Sequence, residues 1–144
     1  MAHRHQTALC FVGLLVVLAG ASGCASQEPL AVFDQPKSGQ DAVSGSIVEE
    51  AEIDDQSTRL IGVDGRGVSI FAAKTRSEPK EVCLLTVNID GGSGWARGCG
   101  DELPISLTSE DGYTVTLMDL KKGPRAPETS EIVGDYAYVQ GPPS

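Results

Sequence analysis

Cys83 and Cys99 constrain this chain more than any other two residues, because a bond between them makes the backbone double back within a short loop. Fifteen residues lie between them. Cys83 sits in "VCLLTVNI" (82–89), where Cys83, Leu85, Val87 and Ile89 alternate with Val82, Leu84, Thr86 and Asn88, the period of a strand. "DGGSG" (90–94) breaks that strand, and "WARGCG" (95–100) leads back towards it. Closing a loop of this length contributes roughly 3 kcal/mol in the chain-entropy model, a large share of the net stability of a small domain. Whether the two cysteines pair depends on a count that starts at the N terminus.

The chain opens on "MAHRH", with Arg4 as its fixed positive charge, and continues into the apolar run "ALCFVGLLVVLAGA" (8–21). That run is too short for the roughly 20 apolar residues a helix needs to cross hydrocarbon. A weakly basic start, a short apolar run and then small residues read as a secretory signal peptide over 1–23. Cys10 leaves with it. The end of the segment, "LAGASGC" (18–24), resembles the lipobox of bacterial lipoproteins, in which small residues precede a cysteine that receives diacylglycerol before cleavage. Ala21 stands where that motif usually has leucine. The resemblance implies a lipid on Cys24 and a protein held at the cell membrane. Ordinary cleavage after Ala21 is the alternative, since "AGA" (19–21) fits the small-x-small pattern, and it implies a secreted, soluble protein. With lipid on Cys24, Cys83 and Cys99 are an even pair in an exported chain and are expected as a disulfide. With cleavage after Ala21, three cysteines remain and one is an orphan thiol.

Charge and the missing histidines exclude several functions. His3 and His5 both lie in the signal, so the chain from Cys24 onward has no histidine. Ser-His-Asp and Cys-His catalytic sites, and zinc sites with imidazole ligands, are therefore ruled out there. The whole chain carries 11 basic against 20 acidic side chains, a formal net charge of −9. That balance argues against nucleic acid, whose phosphates require basic patches. It also argues against the folded part lying on anionic lipid. No cofactor and no metal site are expected.

Past Cys24, residues 24–46 are rich in Ser, Gln, Gly and Pro with no periodicity, and read as a flexible tether. "IVEEAEIDDQ" (47–56) reads as a solvated acidic segment or one helical turn. Beyond it the pattern is β throughout. "TRLIGV" and "VSIFAAK" flank "DGRG" (64–67) as a hairpin, and "PISLT" and "YTVTLMDL" flank "SEDG" (109–112). "KKGPRAPETS" (121–130) is a polar loop, and "DYAYVQ" (135–140) is a last strand before a tail at 141–144. Leu, Ile, Val and Phe make up about a fifth of the exported part, just above the range of disordered chains. The expectation is one all-β domain over 47–140. It is a small antiparallel meander, sandwich or partly open barrel of five to six strands that depends on its disulfide.

Four features invite a functional reading, each beside a plainer one. Trp95, the only tryptophan, is a candidate partner contact, or a ring packed over the disulfide. Arg97 would stand at the tip of a disulfide-closed loop, "GGSGWAR" (91–97), able to enter a partner's cleft. The acidic pairs Asp101-Glu102 and Glu110-Asp111 suit glycoside hydrolysis only if two carboxyls face each other across a cleft, and otherwise face solvent. Tyr136 and Tyr138 would share one face of the last strand as a stacking stripe, or pack as core and edge. No catalytic residue is assigned.

The order "STRLIG…GVSIFAA…EVCLLTV…GWARGCG…YTVTLMDL…IVGDYAYV", spanning about Thr58 to Val139, resembles small exported or lipid-anchored proteins of actinobacteria. The resemblance implies an uncharacterised cell-surface β domain, supports pairing Cys83 with Cys99 and brings no catalytic residues. The function expected from all of this is a non-catalytic binding or structural module, lipid-anchored through Cys24 on the extracytoplasmic side. Its partners would be the membrane and an envelope protein or cell-wall polymer. The alternative is an inhibitor or accessory subunit of an extracytoplasmic enzyme or transporter.

Overall fold

In a computed structural model, which describes residues 30–88 and 94–141, the chain forms two antiparallel four-stranded sheets packed face to face. The first is a meander of β1 (Arg59–Val63), β2 (Val68–Lys74), β3 (Val82–Asn88) and β4 (Trp95–Gly100). The second has the order β5-β6-β8-β7, built from β5 (Ile105–Thr108), β6 (Thr114–Leu117), β7 (Glu131–Val133) and β8 (Ala137–Gln140). The all-β sandwich expected from the alternation is present, without closing into a barrel. Eight strands, not five or six, make it up among the described residues. The one the sequence hid is β7, three residues with no alternation to display, which pairs with β8 through Ile132↔Tyr138. Since β6 and β7 are both antiparallel to β8, they run parallel to each other. The polar stretch 118–130 is therefore the crossover that carries the chain back along the sheet.

Cys83 and Cys99 lie directly opposite each other in the β3–β4 register, with Sγ atoms 2.13 Å apart. The bond sits on a buried face of the first sheet, where Cys83 is fully covered. A disulfide in this position belongs to an oxidising, extracytoplasmic environment. Among the described residues no helix is long and apolar enough to cross a membrane.

The strand β3 explains the layering. Val82 and Leu84 point between the sheets, into a core shared with Ile70, Val115, Leu117, Val133 and Val139. Cys83 and Leu85 point the other way, where Phe71 and Ala73 join them. A sheet with apolar side chains on both faces must be covered on both. Residues ahead of β1 provide the second cover. In α1 (Gly45–Glu50) and the turn after it, Val48, Ala51 and Ile53 are buried against Phe71 and Leu85, while Glu49, Glu50 and Glu52 face water. The run 47–56 is thus amphipathic and packed, which corrects its reading as a solvated segment.

The tether is corrected as well. Leu30 is fully buried and Val32 nearly so, both within the core between the sheets. Two buried polar residues hold this N-terminal segment to β1. The Asp41 carboxylate accepts Leu60 N at 2.7 Å, Ser38 N at 2.6 Å and Ser38 Oγ at 2.8 Å. The Arg59 guanidinium donates to Gln35 O at 2.7 Å and 3.0 Å, and to Gln56 O and Thr58 O. The folded domain therefore includes the chain from Leu30 onward and not only from Ile47. Residues 24–29, together with the expected signal, lie outside the described residues.

Where the two sheets meet edge to edge, small residues allow close approach. At the β1/β7 seam Gly134 has φ +60, and a Cβ there would stand 2.6 Å from Ile61 O. At the β4/β5 seam a Cβ on Gly98 would press on Leu107 at 3.0 Å.

Two outcomes follow. Leu30→Ala is expected to cost about 2–5 kcal/mol in urea denaturation, whereas a residue in a free tether would leave stability unchanged. The second concerns acid. Burial pushes the Asp41 carboxyl up, but the hydrogen bonds from Leu60 and Ser38 and the charge of Arg59 outweigh it, holding the pKa below the ordinary 3.8. A depressed carboxylate contributes stability that is complete above its unfolded pKa and lost as pH falls through its folded value. Denaturation midpoints measured from pH 6 to pH 2 should fall below about pH 4, and Asp41→Asn should flatten that fall while lowering stability at pH 6.

Candidate functional site

Antiparallel strands bring the β1–β2 turn, the end of β3 with the start of β4, and the β5–β6 turn to one end of the sandwich. The β1–β2 turn is organised by Asp64, 6% exposed, whose Oδ1 accepts Arg66 N at 2.9 Å and Val68 N at 2.8 Å. This is the side-chain-to-backbone turn that aspartate favours. The β5–β6 turn is organised by Ser109 and Asp111: Ser109 Oγ donates to Asp111, and Tyr113 N approaches Asp111 Oδ1 at 3.4 Å. Tyr113 joins the two turns. Its buried hydroxyl donates to Asp64 Oδ2, and the Arg66 guanidinium lies over its ring, 4.2 Å from the centroid. Arg66 also pairs with Asp111 at 3.3 Å, with both side chains more than half exposed.

These groups flank a cleft of about 230 Å³ where the two sheets part, with Val68 and Ala96 as apolar lining and Asn88, Ser109, Arg66 and Asp111 as polar lining. Glu131, at the start of β7, accepts Gly65 N at 2.8 Å and ties the second sheet to the β1–β2 turn. Burial, and then the Asp64 carboxylate, push the Tyr113 hydroxyl far above its ordinary range, so it stays a protonated donor. The Ser109 hydroxyl, the Tyr113 N–H and Arg66 hold Asp111 below the usual carboxylate range, against slight desolvation. Preset donors and acceptors around an apolar floor are suited to recognising a ligand by hydrogen bonds. A second hollow of about 210 Å³, bordered by Leu103, Pro104, Met118 and Lys122, lies at the opposite end and gathers fewer polar groups.

The residues singled out from the sequence fall differently. Trp95 borders the cleft, and its position in β4 opposite Val87 also packs it against the outer apolar cluster. Arg97 is corrected: it lies in mid-strand opposite Leu85, not at a loop tip, and its guanidinium donates to Ala51 O, the C-cap of α1. The loop version of the inhibitor reading loses its probing residue. Residues 89–93 lie outside the described residues. Asp101 and Glu102 are exposed on the β4–β5 connection, at the other end of β5 from Glu110 and Asp111. Glu110 faces water, and Asp111 alone enters the polar network. Tyr136 and Tyr138 form no stripe. A turn at Gly134–Tyr136 precedes β8, so Tyr136 packs against the inner core, while Tyr138 opposes Thr116 and Ile132 on the outer face.

Sequence reasoning missed Asp64, Arg66, Ser109 and Tyr113. The signal available was two Asp-Gly turns, Asp64-Gly65 and Asp111-Gly112, each read as a turn alone. Nothing in their spacing says that residues 45 and 49 positions apart meet. Among the described residues no group of three or more His, Cys, Asp or Glu is arranged for a metal ion. No protein-family model, no curated protein and no solved structure matches the chain.

The network predicts unequal costs. Tyr113→Phe leaves a buried carboxylate oxygen without its donor and should cost about 1–3 kcal/mol. Asp111→Asn, on an exposed side chain, should stay within about 0.5 kcal/mol. Guanidinium denaturation of the two variants reads the difference.

Proposed function

We propose that this chain is a lipid-anchored, extracytoplasmic binding module without catalytic activity, tethered through Cys24 and presenting the Arg66–Asp111–Tyr113 end to its partner. The observation that carries this reading is polarity along the sandwich. The chain enters the fold at the end opposite the cleft: Gln35 O meets Arg59 at the start of β1, and the Phe33 ring lies 4.8 Å from Lys74 Nζ at the end of β2. Leu30 is the sixth residue after Cys24, a span of at most ~22 Å of extended chain. A lipid on Cys24 would hold that end near the membrane and point the cleft outward, towards an envelope protein or cell-wall polymer. The lipobox-like "ASGC", the export segment and the Cys83–Cys99 pair all agree with such a location.

Intact mass of the protein recovered from the membrane fraction should give Cys24 as the first residue with added diacylglycerol, and Cys24→Ala should shift the protein out of that fraction. A mature N terminus at Ser22 with no lipid mass would sink the anchored reading.

A further inference from the structure

We propose that the cleft between the β1–β2 and β5–β6 turns binds a single neutral, hexose-sized sugar unit of an envelope polysaccharide. The inference rests on the binding-module reading and names the class of ligand for the same site. Size is the first argument. At about 230 Å³ the cleft lies below the roughly 300–1,000 Å³ of pockets that enclose drug-sized ligands. One ring of a polymer fits, with the neighbouring units left outside.

The chemistry of the wall is the second. Arg66 gives Nη2 to Asp111 and carries further N–H donors on a guanidinium that lies 4.2 Å from the centre of the Tyr113 ring. The Asn88 amide both donates and accepts, and the Ser109 hydroxyl, whose proton goes to Asp111, keeps an acceptor lone pair, so donors and acceptors both face a ligand whose hydroxyls do the same. Val68 and Ala96 supply the apolar surface that the C–H face of a sugar ring covers.

Charge is the third, and it narrows the class. Arg66 is the cation lining this cleft, while the carboxylates of Asp64, Asp111 and Glu131 belong to the same turns on a chain of net charge −9. An anionic ligand is repelled. A cationic one finds the nearby carboxylates engaged: Asp64 holds Tyr113 and two backbone N–H groups, Asp111 holds Arg66 and Ser109, and Glu131 holds Gly65 N. A neutral, hydroxyl-rich ring is what remains.

The test uses the full protein as the cell processes it, purified from membrane or medium, whichever contains it. Saturation-transfer NMR and titration would be run with neutral trisaccharides of glucose, galactose and mannose, beside uronic-acid and amino-sugar trisaccharides. Binding of at least one neutral trisaccharide in the millimolar range is expected. Ala96→Phe, which fills the cleft, and Arg66→Gln, which removes the cation, should each weaken it tenfold or more at unchanged fold by circular dichroism. Lys122→Ala at the opposite end should leave it unchanged. No binding of any neutral trisaccharide, undiminished binding by Ala96→Phe and Arg66→Gln, or preference for the charged sugars would overturn the assignment. Sugar binding without lipid on Cys24 would leave this inference standing while the anchor fails, and lipid without sugar binding would do the reverse.

Discussion

The first sheet is apolar on both sides, and the rest of the molecule is arranged to cover it. Strand β3 shows why: Val82 and Leu84 on one face and Cys83 and Leu85 on the other are all at least nine-tenths buried. One side meets the second sheet. The other is covered by the chain that precedes β1, through Val48, Ala51 and Ile53. That cover needs fixing, because three short 3-10 turns and a six-residue helix have little cohesion of their own. Asp41 and Arg59 fix it by spending a buried carboxylate and a buried guanidinium almost wholly on backbone groups. The disulfide lies beneath this cover, so it closes the β3–β4 pair and forms part of the floor on which α1 rests.

Much of this was legible in the chain, and what was not failed for definite reasons. The hairpins at 64–67 and 109–112 announced themselves, because Gly-containing turns between alternating runs have little else to become. The Cys83–Cys99 pair was read from counting. The N-terminal cover was hidden because it has no regular period: Leu30, Val32 and Asp41 contribute one buried side chain at a time from turns, and a stretch rich in Ser, Gln and Pro looks like solvent-exposed linker. Strand β7 is too short to alternate. Tyr136 broke the expected stripe because the Gly134 turn changes the phase of side chains just before β8. The candidate site was illegible for a topological reason. Its two halves belong to turns of different sheets, and local pattern gives no information about which turns a sandwich brings together.

The site and the core are one construction. Tyr113 belongs to the inter-sheet core by its ring and to the polar network by its hydroxyl, so the cleft is set on a rigid base rather than on loop tips alone. Asp64 serves twice, closing its own turn and receiving Tyr113 from the other sheet. Preset groups of this kind favour recognition because little ordering remains to be done when a ligand arrives. The two ends of the strands differ in what they hold: the 33–35 segment meets Arg59 and Lys74 at one, and the cleft lies at the other.

The two seams have a consequence for the chain's life outside a fold-assisting environment. A sheet edge presents unpaired backbone N–H and C=O groups that recruit strands from other molecules. Here β1 lies against β7 through Gly62 and Gly134, and β4 against β5 through Gly98. The edge of each sheet is thus occupied by its counterpart although neither seam completes a ladder. Larger side chains at Gly62, Gly98 or Gly134 would force the seams apart, and the damage would appear as self-association as much as lost stability.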